Sequence, residues 1–339
     1  MSKPVALVTG ASGEMGHLLL PALEDRGFDI VSLDLAPLEA AQSARCVESV
    51  QASILDAKRV ASLFDRYRPA AIFHLAAVLS TKAEKDPDLA YDVNTNGTVS
   101  LFRLAGKEAL RRGESVRFFF PSSIAVYGLS DARAKESAGA LKESDFNCPA
   151  GMYGINKLFC EMLGSYFTQR AAKRQETGID FRAIRFPGLV SAETLPSGGT
   201  SDYAPEMIHA AASGKPYSCF VRPDTRLPFM TMPDAVDALI ALTFADAATL
   251  TTRVYNIGAF SPSAAEIRAA VLEHFPGATI GFEPVPPRQA IVDTWPADVD
   301  DRRARLDWGH APKHGLREAL RDYLVPALAR RYGVKTVSS

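Results

Sequence analysis

The chain is short of the residues that build metal centres and disulfide frameworks. It has four cysteines and six histidines among 339 residues. Cys46, Cys148, Cys160 and Cys219 stand far apart, with no CxxC pair and no histidine at ligand spacing. Neither a disulfide scaffold nor a metal site is predicted, and the cysteines are expected as free thiols. An excess of charge is also missing. Lys and Arg number 38 against 39 Asp and Glu, a formal net charge of -1, which gives no electrostatic reason to expect nucleic acid or an anionic membrane as partner. No apolar run approaches the roughly 20 residues that span a bilayer. The first apolar run follows Met1 too closely for a signal peptide, so a cytoplasmic location is expected. What remains is ordinary globular composition, 47% hydrophobic and 23% charged, in a chain long enough for one large domain or two.

The first half alternates short apolar runs with helical stretches, the pattern of βαβ units on a parallel sheet. Strands are expected at Val5–Thr9, Ile30–Asp34, Ala71–Leu75, Val116–Pro121 and Phe181–Phe186, each a continuous apolar or β-branched run suited to a sheet covered on both faces. Helices are expected at Met15–Arg26, Arg59–Tyr67, Pro87–Arg112 and Tyr153–Gln175. Beyond about residue 187 Pro, Gly and Ser become frequent, and helical segments return at Tyr203–Ser213, Asp234–Ala245, Ser263–His274 and Leu316–Arg331. The predicted fold class is α/β: a Rossmann-type doubly wound parallel sheet with a smaller, mostly C-terminal substrate-binding region. Residues 1–190 form the expected nucleotide-binding domain, with a return segment near 228–260, and 191–339 the substrate region.

Gly10-Ala-Ser-Gly-Glu-Met-Gly16 follows the first strand and opens the first helix. Small residues there allow a tight turn and bring a pyrophosphate close to backbone N–H groups at a helix N-terminus. Asp34 ends the second strand. A carboxylate at that place accepts hydrogen bonds from an adenosine ribose and repels a 2′-phosphate, which predicts NAD over NADP.

Tyr153-Gly-Ile-Asn-Lys157 is a YxxxK motif. On a helix, residues four apart share a face. Free tyrosine has a pKa of about 10, and a cation about 4 Å away at an effective dielectric near 20 lowers it by up to roughly 3 units. The pair can therefore make a phenol into a base near working pH. Pro121-Ser-Ser-Ile-Ala-Val-Tyr-Gly128 follows the expected strand at Val116, where Ser122 and Ser123 can hydrogen-bond a substrate hydroxyl or carbonyl.

With these motifs together, the whole chain resembles the extended short-chain dehydrogenase/reductases. The matching elements are the glycine turn, Asp34, His74-Leu-Ala-Ala77, Asn94-x-x-Gly-Thr98, Ser123-x-x-x-Tyr127-Gly128, Tyr153-x-x-x-Lys157 and Arg185-Phe-Pro-Gly-Leu189. Within that group it is most similar to the epimerase-like L-threonine 3-dehydrogenases, through Leu79-Ser80, Phe186-Pro-Gly-Leu-Val-Ser191, Gly198-Gly-Thr-Ser-Asp-Tyr-Ala204, Asp224-Thr-Arg-Leu-Pro228, Arg288-Gln-Ala-Ile291 and Trp295-Pro-Ala-Asp-Val-Asp-Asp301. The resemblance implies catalysis by Tyr153, Lys157 and Ser123. It implies NAD bound by Gly10, Ser12, Gly13, Glu14, Met15, Gly16, Asp34, Leu35, Ser53, Ile54, Leu75, Ala76, Ala77, Asn94, Tyr153, Lys157, Pro187 and Leu189. It implies L-threonine, oxidised to 2-amino-3-oxobutyrate, held by Leu79, Ser80, Ser123, Tyr153, Gly199, Thr200 and Trp295. Asn94 is also a candidate for supporting a proton-relay water. Ser53 stands where many relatives carry Asp, so only Ile54 keeps the usual adenine-packing residue. A homodimer through the two long helices is expected. A sugar-nucleotide epimerase, a sugar-acid dehydrogenase and a non-enzymatic NAD sensor are the alternative readings.

Overall fold

The computed structural model describes residues 3–196 and 198–333. Met1, Ser2, Ser197 and residues 334–339 lie outside the described residues. The chain divides into two compact units.

The first unit takes in the chain up to Ser123, Met152–Arg185 and Leu239–Tyr255. Its centre is a seven-stranded sheet in the spatial order Val254–Asn256, Ile179–Phe186, Val116–Ser123, Ala71–His74, Val5–Thr9, Asp29–Asp34, Cys46–Gln51. The pairings from Val116–Ser123 through to Cys46–Gln51 are parallel. This is the predicted Rossmann-type sheet, with two strands that the apolar pattern did not reveal. Cys46–Gln51 is an edge strand whose residues are mostly half-buried or exposed. Val254–Asn256 has only three residues.

Helices Thr98–Arg112 and Met152–Arg174 pack on the sheet through a cluster that includes Leu7, Ile72, Phe118, Phe120, Leu101 and Phe102. Phe102 meets Phe118 at 4.7 Å and Phe181 edge-on at 5.6 Å between ring centroids. Each such pair adds about 0.5–1.5 kcal/mol to the area buried. A β-carbon at Gly164 would lie 2.4 Å from the Phe181 ring, so that glycine lets Met152–Arg174 lie close on the sheet. The stretch read as one helix, Pro87–Arg112, is a short α-helix at Pro87–Ala90, a π-helical turn at Tyr91–Gly97 and an α-helix from Thr98.

The second unit takes in Ile124–Gly151, Phe186–Ala238 and the chain from Asn256 onward. Residues 124–151, assigned by the sequence reading to the first domain, group here because Ala140–Leu141 pairs with Asp298–Val299. Two further parallel pairs, Gly188–Val190 with Phe229–Thr231 and Tyr217–Cys219 with Ile280–Phe282, complete its strands. Helices Tyr203–Ala212 and Ala264–His274 lie within it, the latter opened by a capping box of Ser263 and Glu266. Among the described residues, no helix is long and apolar enough to cross a membrane.

Candidate active site

Strand order reverses at Val5–Thr9, which has Asp29–Asp34 on one side and Ala71–His74 on the other. In open parallel sheets the crevice beyond the carboxyl ends of such strands is where ligands bind. Gly10 leaves the strand there with φ +72°, and a β-carbon on it would sit 2.5 Å from the Ala76 nitrogen. Only glycine fits. A β-carbon at Gly16 would sit 2.0 Å from the Ala11 oxygen, so the first helix, Glu14–Glu24, starts hard against the turn. Its N-cap, Gly13, supplies no side-chain hydrogen bond. The helix N-terminus thus opens directly on the glycine turn, the place where backbone N–H groups and the helix dipole favour an anion. Asp34 is held in place: its Oδ2 accepts from the Ser12 N–H at 2.9 Å and its Oδ1 from the Ala36 N–H at 3.0 Å. These residues fit a dinucleotide with a free ribose 2′-hydroxyl.

Around that turn, Leu75 donates its N–H to the Thr9 carbonyl at 2.9 Å, Ala77 is half-buried and Leu35 is exposed. Ile54 is buried, with its side chain 3.2 Å from where a β-carbon on Gly97 would stand. The Ser53 hydroxyl accepts from the Leu55 N–H at 3.1 Å and so shapes its own turn.

A chain of buried hydrogen bonds ties this crevice together, and sequence reasoning did not find it. Thr98 Oγ1 donates to the Asn94 carbonyl at 2.6 Å, so it accepts from His74 Nε2, at 2.8 Å. His74 Nδ1 then accepts from Thr9 Oγ1 at 2.7 Å, leaving Thr9 to accept the Ala76 N–H at 3.4 Å. The tautomer follows from those directions. Burial, with Lys157 nearby, pushes the His74 pKa down to about 3, so the ring is a neutral relay of fixed direction. The Asn94 side chain is paired with Val78, its Oδ1 accepting the N–H at 2.7 Å and its Nδ2 donating to the carbonyl at 2.9 Å. Its carbonyl also accepts from Cys160 Sγ at 3.3 Å. Asn94 therefore shapes the Leu75–Leu79 segment.

The first turn of helix Met152–Arg174 carries Tyr153 and, four residues on, Lys157. The Lys157 ammonium lies 5.4 Å from the Tyr153 ring centroid and 4.5 Å from that of Phe120, and donates to the Pro121 carbonyl at 2.5 Å. Burial lowers the Lys157 pKa to about 8, with Cys160 and Glu161 acting against that shift. Burial raises the Tyr153 pKa, whose ring rests on Val78, Ala83 and Ala90. Met152 donates its N–H to Glu84 Oε1 at 2.6 Å, which fixes the helix start beside Ser80–Lys85. Ser123 closes strand Val116–Ser123 and is half-buried. The structure separates the two serines: Ser122 is buried and gives its hydroxyl to Glu161, so it is not free for a substrate. Leu79, the exposed N-cap of Ser80–Lys85, and half-buried Ser80 complete the predicted residues of this unit.

The remaining predicted residues lie in the second unit. Pro187 is buried and Leu189 half-buried at strand Gly188–Val190. Gly199 donates its N–H to Asp202 Oδ2 at 2.7 Å, and its carbonyl accepts from Arg288 Nη2 at 2.9 Å. Thr200 is buried beside it, and Trp295 is buried just past helix Pro286–Asp293.

Comparison with known proteins gives this arrangement its family. L-threonine 3-dehydrogenase, mitochondrial, of Bos taurus is 34% identical over 304 residues, covering 89% of this chain and 77% of that one. An uncharacterized epimerase/dehydratase of Staphylococcus haemolyticus is 33% identical over 91% of this chain and 93% of its own. The structure of L-threonine 3-dehydrogenase from Trypanosoma brucei superposes with a TM-score of 0.84 at 33% identity, covering 98% of this chain and 99% of that one. The structure of a monomeric L-threonine 3-dehydrogenase from a metagenome gives a TM-score of 0.84 at 34% identity, covering 96% of this chain and 99% of that one. Residues 6–258 match the NAD dependent epimerase/dehydratase family. With that match and these full-length likenesses, the chain belongs to the NAD dependent epimerase/dehydratase family, the extended short-chain dehydrogenase/reductases its motifs resemble, and NAD is its cofactor.

Proposed function

We propose that the protein oxidises the β-hydroxyl of L-threonine to give 2-amino-3-oxobutyrate. The observation that carries this reading is the likeness, over nearly the whole chain, to proteins named L-threonine 3-dehydrogenase. Tyr153, as phenolate, removes the hydroxyl proton. The Lys157 ammonium favours that phenolate, because a positive charge stabilises the anionic form. Ser123 orients the hydroxyl toward Tyr153. NAD, when bound, accepts the hydride at its nicotinamide. The cofactor is held by the Gly10–Gly16 turn, Asp34, Leu35, Ser53, Ile54, Leu75–Ala77, Asn94, Tyr153, Lys157, Pro187 and Leu189.

The substrate is a small zwitterion with little apolar area, so its affinity comes from a few placed polar groups. Leu79, Ser80, Gly199, Thr200 and Trp295 are the residues proposed to surround it. A homodimer is part of the proposal. Ile155, Phe159, Met162 and Tyr166 recur at helical spacing along Met152–Arg174 and are 48%, 45%, 68% and 56% exposed, an apolar stripe that a second copy would cover.

The test is NADH formation over a panel of L-threonine, its stereoisomers, sugar acids and UDP-sugars. L-threonine is expected to give the highest kcat/KM. Conversion of a UDP-sugar without net NADH, or faster oxidation of a sugar acid, refutes the reading.

A further inference from the structure

Tyr153, Lys157 and Glu161 recur every four residues along Met152–Arg174 and so share a face. Glu161 is the member of this row without a part in the proposed reaction. Its side chain is 3% exposed and that of its partner Arg185 is 4% exposed. Arg185 Nε donates to Oε1 at 2.9 Å and to Oε2 at 3.2 Å, and Nη2 donates to Oε2 at 2.7 Å. This is a bidentate grip from strand Ile179–Phe186. Oε1 also accepts the Ser122 hydroxyl. Ser122 sits between Pro121, whose carbonyl seats the Lys157 ammonium, and Ser123.

Stability alone does not account for the arrangement, because a buried ion pair is often replaceable by apolar residues of equal volume without loss. Directional bonds to a carboxylate do what apolar packing does not: they fix where a hydroxyl, and the backbone carrying it, stands. We propose that Glu161, braced by Arg185, is a positioning residue for proton transfer, which through Ser122 fixes the strand end that seats Lys157 and Ser123 against Tyr153. The proposal rests on Tyr153, Lys157 and Ser123 as the proton-transfer group, and not on L-threonine as substrate.

The charged and titratable groups around that site are Lys157, Cys160 and Glu161 on its own helix, His74 on strand Ala71–His74, Glu84 on helix Ser80–Lys85 and Arg185. His74 is neutral through the working range, and the Lys157 ammonium lies 5.4 Å from the Tyr153 ring centroid.

Glu161→Gln leaves the Arg185 guanidinium buried without its counter-charge and can fail to fold for that reason alone. Ser122→Ala removes only the hydroxyl link and keeps the ion pair. In NAD-saturated protein, Tyr153 ionisation is followed by ultraviolet tyrosinate absorbance as pH rises, as a difference against Tyr153→Phe, alongside Tm and NAD affinity. Ser122→Ala is expected to keep NAD affinity within about threefold, to raise the Tyr153 midpoint by about half a pH unit or more, and to lower kcat about tenfold with KM little changed. An unmoved midpoint overturns the proposal, whether Tm holds or drops, since the hydroxyl then serves the fold alone. If the unmutated protein shows no tyrosinate step that Tyr153→Phe removes, the proton-transfer reading fails and the proposal falls with it. If that step is present but L-threonine is not oxidised, only the substrate reading fails, and the Ser122→Ala midpoint still decides.

Discussion

Replacing Lys157 by Met separates the part proposed for this lysine in catalysis from what it does to the fold. Its pKa falls from 10.5 to about 8, chiefly through burial, a shift equivalent to about 3 kcal/mol between its two protonation states. The sign follows from proton counting. The unfolded chain binds the proton more tightly, so stability rises with pH between the two pKa values. The penalty on the folded state is therefore complete below pH 8 and fades as pH climbs toward 10.5. Methionine has similar length and no charge, so the variant escapes the penalty at every pH. It leaves the Pro121 carbonyl without its ammonium donor, which costs about 1–2 kcal/mol. The difference is a net gain near pH 7 of about 1–2 kcal/mol, or about 2–4 °C in Tm for a chain of this size. By pH 10.5 the advantage is gone and the variant is the less stable of the two. Activity moves the opposite way. A unit charge at the 5.4 Å separation of Lys157 and the Tyr153 ring is worth about 3 kcal/mol at an effective dielectric near 20, or about 2 pKa units on the phenol. Turnover at neutral pH then drops by at least about 100-fold. The assay is a series of thermal melts of cofactor-free protein from pH 7 to 10.5, with initial rates of NADH formation beside it. A variant less stable than its parent at pH 7, or a Tm difference that does not change with pH, refutes the reasoning.

Two further outcomes follow from the site. Tyr153→Phe keeps the ring on Val78, Ala83 and Ala90 but removes the proton acceptor. NAD binding measured by calorimetry is expected to persist while NADH formation disappears, and retention of most of the activity rules out Tyr153 as the base. Asp34→Asn keeps an acceptor oxygen for one of the Ser12 and Ala36 N–H groups and removes the charge proposed to repel a 2′-phosphate. The ratio of kcat/KM for NADP to that for NAD is expected to rise at least about tenfold, and an unchanged ratio shows that discrimination lies elsewhere.

The parallel core was legible because strands covered on both faces are written as unbroken apolar runs, as in Val5–Thr9 and Val116–Ser123. Cys46–Gln51 was not, since an edge strand leaves Val47, Ser49 and Gln51 exposed and looks like loop. The π-helical turn at Tyr91–Gly97 was not legible within Pro87–Arg112, because such a turn is a single irregularity flanked by ordinary α-helix on both sides. The glycine turn and the Tyr153–Lys157 pair were legible as motifs because their spacing is local. Ser122 was misjudged for the complementary reason: its partner Glu161 lies 39 residues away, and nothing in a linear sequence pairs a buried hydroxyl with a carboxylate at that distance. Glu161 itself carried one signal, its position eight residues after Tyr153 on a single helix face.

His74, Lys157, Glu161 and Arg185 are all nearly excluded from water at one edge of the sheet, where each weakens the fold unless it is fully paired. Their neighbours meet that demand in a directed way. His74 has a threonine on either side, Arg185 closes on both oxygens of Glu161, and Lys157 takes a single carbonyl. Among the described residues Lys157 is thus the least satisfied member, an ammonium with three N–H donors, a hydrogen bond to the Pro121 carbonyl and a pKa brought down to about 8. A lysine held this way has hydrogen-bonding capacity left for a ligand's hydroxyls, while the fully paired Glu161 and Arg185 have little. The proposed mechanism divides the labour along that difference: the paired groups hold the frame, and the under-paired ammonium serves the proton transfer.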